Sequence, residues 1–401
     1  GAWDVVSDLI IPLFRSILYF SSAFSMPQKV AIVHYWLTNM RGGERVLEAL
    51  CELFPEAVIF TNVVDRKILP ASIAKHEIRT TFIQKIPGSQ KHYQKLLPLM
   101  PIALEQLDLS DFDLVISNES GPAKGVITRS DALHICYCFS PMRYLWDMYP
   151  EYLKNSSFLI RLFMVPCFHY LRLWDVSTAN RVDNFLTISH AVQARVKRWW
   201  KRDSEILYPP VDMDRLAANP DDGFVSPFGD EPYYIYLGAL VPYKRADLAV
   251  KVCKTLGKNL LVIGNGSEIK KLKESSGHQI KFITDADDTL VKQALSKAKA
   301  LLFPGEEDFG IVVLEAMACQ TPVIAYRRGG AIDTVTSRTG LFFLEQTKES
   351  LSEAIVKFEN IPESFWKKEN FLEHVNKFSK ENFKKQFLEV VLKQLEEKKN
   401  N

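Results

Sequence analysis

The feature that most constrains this 401-residue chain is an alternation of short apolar runs with amphipathic stretches, which stops at a double proline and begins again. Before the prolines, strand-like runs cover residues 30–35, 57–60, 114–117, 133–137 and 185–188. They are continuously apolar rather than alternating, the pattern of strands buried on both faces of a parallel sheet. Between them lie helical repeats such as Val46, Leu47, Leu50, Cys51 and Phe54. Tyr208-Pro209-Pro210-Val211-Asp212 then stiffens the chain into an extended connection. Beyond it the runs 234–237, 260–263, 280–283, 300–303 and 322–326 recur with helices between them. The reading is an α/β protein of two Rossmann-like doubly wound domains, with ligands expected in a cleft between them.

Composition removes several alternatives. Fifty Lys and Arg face forty-eight Asp and Glu, a formal charge of +2, so no basic face argues for nucleic acid. The six cysteines lack metal spacing and read as reduced thiols in a cytosolic setting. No run reaches the roughly 18 apolar residues of a membrane span. Residues 1–25 stand apart, with Trp3, Val6, Ile10, Leu13, Phe14, Ile17 and Leu18 at helical spacing and Pro12 interrupting them. They make a poor signal peptide and read either as an amphipathic leader or as a segment foreign to a start at Met26. The expected division is 1–25, a first domain 26–207, a second 208–378, and a helix 379–401 capped by Ser379.

The motif richest in chemistry is Pro304-Gly305-Glu306-Glu307-Asp308-Phe309-Gly310-Ile311-Val312-Val313-Leu314-Glu315. Glu307 falls in a loop after a strand, and Glu315 lies eight positions on, inside the helix which that loop opens. A strand-to-helix turn presents free backbone N–H groups to an anion, and a carboxylate such as Glu315 can accept two hydrogen bonds from a vicinal diol. Taken alone, the two acids fit a solvated loop before an ordinary capped helix better. A second strand enters a glycine turn at Arg327-Arg328-Gly329-Gly330, and two adjacent helix N-termini beside an acid pair suit a nucleoside diphosphate.

The run 307–330 resembles the signature of family 4 retaining glycosyltransferases of the GT-B type, a glutamate, seven residues and a second glutamate. Gly238-Ala239-Leu240-Val241-Pro242-Tyr243-Lys244-Arg245 is similar to that family's donor-phosphate loop, and Arg41-Gly42-Gly43-Glu44-Arg45 to its N-terminal glycine loop. The likeness continues through Ala123-Lys124-Gly125 and Ser140-Pro141-Met142-Arg143-Tyr144 and covers nearly all of 29–390. The nearest subgroup is the bacterial O-antigen and exopolysaccharide mannosyltransferases of lipopolysaccharide biosynthesis. The resemblance implies that Glu315 holds the donor ribose and Glu307 the transferred sugar. It implies that the Phe309, Gly310 and Ile311 backbone supports sugar and phosphate, that Gly42 and Gly43 approach the donor, and that Lys244 and Arg245 neutralise the leaving diphosphate. Lys124 and Arg143 would be acceptor-side cations. No cofactor or metal is implied; the donor would be a nucleotide sugar, GDP-mannose first, and the acceptor a glycan or polyprenyl-linked glycan at the inner face of the cytoplasmic membrane.

Three positions depart from the family pattern: Phe139 where a histidine is usual, Ala239 where an arginine is, and Gln320 where a glycine is. Asp111-Phe112-Asp113 and Asp285-Ala286-Asp287 mimic a metal-binding pair of another fold and read as structural. Gly264-Asn265-Gly266 lacks the third glycine of a dinucleotide fingerprint, and no nucleophile motif occurs. Residues 158–174 and Lys197-Arg198-Trp199-Trp200-Lys201-Arg202 fit an anionic membrane surface or, equally, a buried helix and an exposed basic turn. Two rival readings are a non-catalytic nucleotide-sugar-binding subunit and a sugar-nucleotide epimerase of the same architecture.

Overall fold

The computed structural model describes residues 27, 29–40, 42–212 and 224–400. The 1–25 leader and Arg41 lie outside the described residues. Two sheets organise the rest. The first contains β1 (Val30–His34), β2 (Val58–Thr61), β3 (Ile78–Thr80), β4 (Leu114–Glu119), β5 (Leu133–Cys138), β6 (Asn184–Thr187) and β7 (Glu205–Ile206), in the order β3-β2-β1-β4-β5-β6-β7. The second contains β8 (Tyr233–Leu237), β9 (Asn259–Ile263), β10 (Ile280–Ile283), β11 (Leu301–Phe303), β12 (Val323–Tyr326) and β13 (Gly340–Phe343), in the order β10-β9-β8-β11-β12-β13. Every pairing in the second sheet is parallel, and β1 pairs in parallel with β2 and β4. The core strands are apolar throughout because both faces are covered; all residues of β1, β4 and β5 are buried.

In each sheet the strand order reverses beside its first strand, between β1 and β4 and between β8 and β11. Loops leaving the carboxyl ends of those pairs diverge to opposite faces and open a crevice, where doubly wound folds bind ligands. This is the GT-B type of architecture expected from the sequence.

The helices used below are α1 (Gly42–Leu53), α2 (Phe158–Thr178), α3 (His190–Trp199), α4 (Ala246–Leu256), α5 (Ile311–Ala318) and α6 (Lys380–Asn400). By contacts the chain forms two compact units. Among the described residues, one comprises those up to 137 with 142–185 and 385–400, the other 138–141 and those from 186 to 384. In the first, α1 buries Val46, Leu47, Leu50 and Cys51 completely. The far part of α6 belongs to the same unit. Phe387 is fully buried there, with ring centroids 6.4 Å from Phe54 and 6.5 Å from Tyr137. The Lys398 ammonium lies 3.2 Å from Asp183. Ser379 accepts a hydrogen bond from the Asn382 N–H at 3.3 Å, the N-cap that the sequence suggested.

Candidate functional site

In the second unit, β8 ends in a loop whose single turn, Pro242–Lys244, is closed by Arg245 in the left-handed region at φ 55°. That kink starts α4 and leaves Lys244 beside the loop after β11. The Lys244 Nζ lies 3.0 Å from Glu307 Oε1, with side chains 16 % and 21 % exposed. A cation from the first strand of the sheet thus meets an acid from its neighbour across the switch point. Arg245 turns elsewhere: its Nε donates to Asp247 Oδ1 at 3.0 Å, and Lys251 donates to the same carboxylate at 3.2 Å. Of the two basic residues expected on the diphosphate, the structure brings Lys244 to Glu307 and ties Arg245 to its own helix.

The acid loop is tightly braced. Gly310 caps α5 at φ 80°, and a β-carbon there would lie 2.9 Å from the Phe303 ring, so both backbone and space require glycine. Glu315 is half-buried on the second turn of α5. Phe309 is buried, its ring stacked at 6.0 Å on Tyr208 and 6.0 Å from Phe378. The Tyr208 hydroxyl donates to Asp333 at 3.1 Å; burial first, then the neighbouring Asp333, pushes this phenol up to about 12 and keeps it a donor. The Asp308 carbonyl accepts from Ser189 Oγ at 2.6 Å, and its carboxylate pairs with Arg195, which also donates to Ser140 Oγ at 3.2 Å. The Gly330 N–H donates to the Glu307 carbonyl at 2.8 Å. Gly330 belongs to the glycine turn legible in the sequence, whereas Ser189, Arg195 and Asp333 lie outside its motifs. Ser189 alone carries a local signal, as N-cap of α3 accepting from Val192 N–H at 3.3 Å.

In the first unit, Gly42 and Gly43 open α1. Asn118, on β4, donates from Nδ2 to the Gly43 carbonyl at 3.1 Å and to His34 Nδ1 at 2.9 Å. His34 Nε2 stands 3.5 Å from Glu44. The glycine turn is therefore fastened across the switch point of the first sheet. Arg143 is half-buried in the loop that follows Ser140-Pro141.

Lys124 requires a correction. Expected as an acceptor-side cation, it is fully buried, and its ammonium pairs with fully buried Asp175 on α2. Its N–H donates to Glu119 and its ammonium lies 5.8 Å from the Trp174 ring. The charge is spent inside the fold and faces no acceptor. Burial pushes the neighbouring Glu119 up to about 8, with Lys124 working against that rise.

The other expectations resolve locally. His134 is fully buried, with Nε2 2.9 Å from Ser117 Oγ and Nδ1 3.0 Å from the Arg181 carbonyl. It cannot replace the histidine absent at Phe139. Gln320 adopts φ 61°, with its N–H on Met317 O and the Thr321 N–H on Ala316 O. That is a left-handed helix end, which explains why glycine suits the position. Asp113 accepts from Lys29 N–H and Arg129, and Asp287 caps the helix Asp288–Ser296. In the basic turn Trp200 is buried and Lys197 pairs with Asp203 at 2.6 Å. Phe158, Phe163 and Leu173 on α2 are by contrast 79 %, 76 % and 60 % exposed. Among the described residues no helix is long and apolar enough to cross a membrane.

Comparison with known proteins gives the family and the fold. The family model for glycosyl transferases group 1 matches residues 220–400. The mouse alpha-1,3/1,6-mannosyltransferase ALG2 is 30 % identical over 296 residues, covering 65 % of this chain and 68 % of that protein. A GDP-mannose-dependent monoacylated alpha-(1-6)-phosphatidylinositol monomannoside mannosyltransferase of Corynebacterium glutamicum is 29 % identical over 176 residues, covering 40 % of this chain and 45 % of that one. Against several other curated relatives the match is shorter, spanning 42–58 % of their length. The crystal structure of Anabaena HepE in complex with UDP superposes with a TM-score of 0.68 at 15 % identity, covering 91 % of this chain and 99 % of that one.

Proposed function

Because the chain belongs to the group 1 glycosyltransferases, of family 4 and the GT-B fold, we propose that it moves a hexose from a nucleoside diphosphate sugar to a lipid-linked or polysaccharide glycan, with retention of anomeric configuration. Mannose from GDP-mannose is the first donor to test, because a relative named for GDP-mannose is 29 % identical over 176 residues. UDP is the alternative, since it occupies the structural relative.

The observation that carries the reading is the Lys244–Glu307 pair at the switch point of the second sheet. Breaking the anomeric bond leaves negative charge on the distal phosphate oxygen, and a fixed ammonium stabilises that charge where it develops. Lys244 supplies it, released from Glu307 as the phosphate arrives, and Glu307 turns to the sugar hydroxyls. Glu315 accepts hydrogen bonds from the ribose diol, and the first turn of α5 offers N–H groups without intrahelical acceptors to the phosphates. The leaving phosphate oxygen takes the acceptor hydroxyl proton on the same face of the sugar. With cation and helix terminus serving the diphosphate, the step requires no metal, and the enzyme works at the cytoplasmic membrane surface.

Thermal unfolding with GDP, UDP or ADP tests the donor base, because a ligand at a hundred times its Kd adds about 2.7 kcal/mol. Glu315→Ala should weaken nucleotide binding, and Glu307→Ala should lower turnover more than affinity. Equal losses of both properties in both variants would refute the division of roles. Undiminished turnover in EDTA is expected; abolition with rescue by a divalent ion would overturn the metal-free step.

A further inference from the structure

The first unit holds a cavity of about 670 Å³ that none of the proposed donor chemistry uses. Its volume falls in the range of small-molecule sites, roughly 300–1,000 Å³. Trp36 and Ser120 are among its lining residues. Trp36 follows β1 and Ser120 follows β4, so the lining includes the carboxyl ends of the two strands at the switch point of the first sheet. The helix α2 contributes Ile160, Phe163, Met164 and Cys167 to the same lining. Lys95 is the one charged residue on the lining, and no carboxylate is among the described lining residues.

This helix is unusual in what it shows to solvent. Of its 21 residues only Met164, Leu171, Trp174, Asp175 and Thr178 are buried. Phe158, Leu159, Leu162 and Phe163 are 79 %, 69 %, 61 % and 76 % exposed. Charges of both signs surround it: Lys154 is exposed, and Arg161, also exposed, donates to backbone carbonyls 154 and 156. Arg172 donates to the Leu145 carbonyl at 3.1 Å and lies 4.5 Å from the Tyr149 ring. The acids on these elements are Asp147, Glu151 and the buried Asp175, which is committed to Lys124 and Trp146. An exposed apolar face of this extent marks a binding surface.

We propose that this cavity holds the hydrocarbon chain of an amphiphilic acceptor with an anionic head, threading it from the apolar face of α2 to the carboxyl edge of the first sheet. This rests on the lipid-linked acceptor reading and adds a place for the chain. The occupant follows from the lining: apolar walls take an alkyl or isoprenoid chain, and the lone lysine takes a phosphate. A bulk membrane surface would explain the outer residues Phe158 and Leu162 but not a void reaching Trp36 and Ser120. Met164 and Cys167 suit such a guest, because a thioether and a small thiol leave adaptable space between aromatic walls.

The test uses alkyl phosphates of four, eight and twelve carbons below their micelle thresholds, farnesyl phosphate, and inorganic phosphate as the headless control. Tryptophan fluorescence reads Trp36, and maleimide labelling reads Cys167, the half-exposed thiol; the other five are buried. Affinity should rise about fourfold per methylene until the cavity is full, and dodecyl phosphate should protect Cys167 where inorganic phosphate does not. Cys167→Trp fills the void and should weaken dodecyl phosphate binding at least tenfold while leaving nucleotide-induced thermal stabilisation unchanged. If that variant fails to fold, Phe163→Ser, at an exposed position, should weaken chain binding severalfold. Affinity independent of chain length overturns the proposal. So does a folded Cys167→Trp that binds dodecyl phosphate as wild type does, vesicle binding without single-chain binding, or a dimer that covers α2 and binds no alkyl phosphate. A protein that binds the chain but turns over no donor supports the cavity and defeats the transferase reading, so the two fail separately.

Discussion

Replacing Gly330 with alanine separates packing from backbone preference at the acid loop. Gly330 has φ −70° and ψ −13°, a right-handed conformation that alanine can adopt, so alanine gains up to about 1 kcal/mol by restricting the unfolded chain. Backbone preference alone therefore predicts stabilisation. The surroundings predict the reverse, because an added β-carbon would lie 2.2 Å from the Phe309 Cα and 2.5 Å from its carbonyl oxygen. Relaxed carbon contacts need roughly 3.5 Å, so the 305–310 loop must retreat by about 1 Å and its 2.8 Å hydrogen bond from Gly330 must stretch. Overpacking of this kind costs about 1–3 kcal/mol, and after the backbone gain a net loss of about 1–2 kcal/mol is expected. A misplacement of about 1 Å beside reacting atoms lowers turnover on the order of 10²-fold. Urea denaturation and donor turnover measure the two effects. Gly257→Ala is the control, since Gly257 has φ 63° but nothing within 4 Å of an added β-carbon. It should lose about 1 kcal/mol from the left-handed strain and keep full turnover. A Gly330→Ala protein at least as stable as wild type, with unchanged turnover, would show that the close approach does not hold the loop.

Lys244→Ala should lower transfer on the order of 10²-fold or more, the scale for losing one preorganised charge stabiliser; near wild-type rates would move the phosphate role to another cation. Burial holds His134 down at about 4. The unfolded chain binds a proton near pH 6.5 that the folded chain refuses, so stability present above that pH is lost as pH falls toward 4, by about 3 kcal/mol in all. Urea midpoints across pH 4–7 should show this slope, reduced in His134→Gln; identical slopes would assign it to other groups. Gln320→Gly should raise stability by about 1 kcal/mol, relieving a side chain at φ 61°, and a lower melting temperature would contradict that.

The two sheets were legible because buried parallel strands are written as continuous apolar runs, and ten of those runs became strands within a residue or two. The three missed strands, β3, β7 and β13, lie at sheet edges. Ile78–Thr80 and Glu205–Ile206 are three and two residues long, too short to leave a pattern. Lys244 and Glu307 were legible because each sits in a local motif. Their supports were not, because Arg195 reaches Asp308 across 113 positions and Tyr208 reaches Asp333 across 125. Lys124 misled for the same reason: beside a glycine it resembles a surface cation, and its partner Asp175 is 51 positions away. For residues 158–174 the sequence left a buried helix and an interfacial one open, since periodicity reports an apolar face without saying what covers it.

The place of Phe387 has a consequence for how the protein is made. The ring that fills the space between Phe54 and Tyr137 is translated about 200 residues after the rest of its unit, which otherwise ends at residue 185. At about 5–20 residues per second, a ribosome leaves the first unit without that side chain for roughly 10–40 seconds while the whole second unit emerges. During that interval the nascent first unit carries an unfilled apolar slot, a binding site for chaperones and a target for proteases. Its final closure must wait for a unit that folds after it.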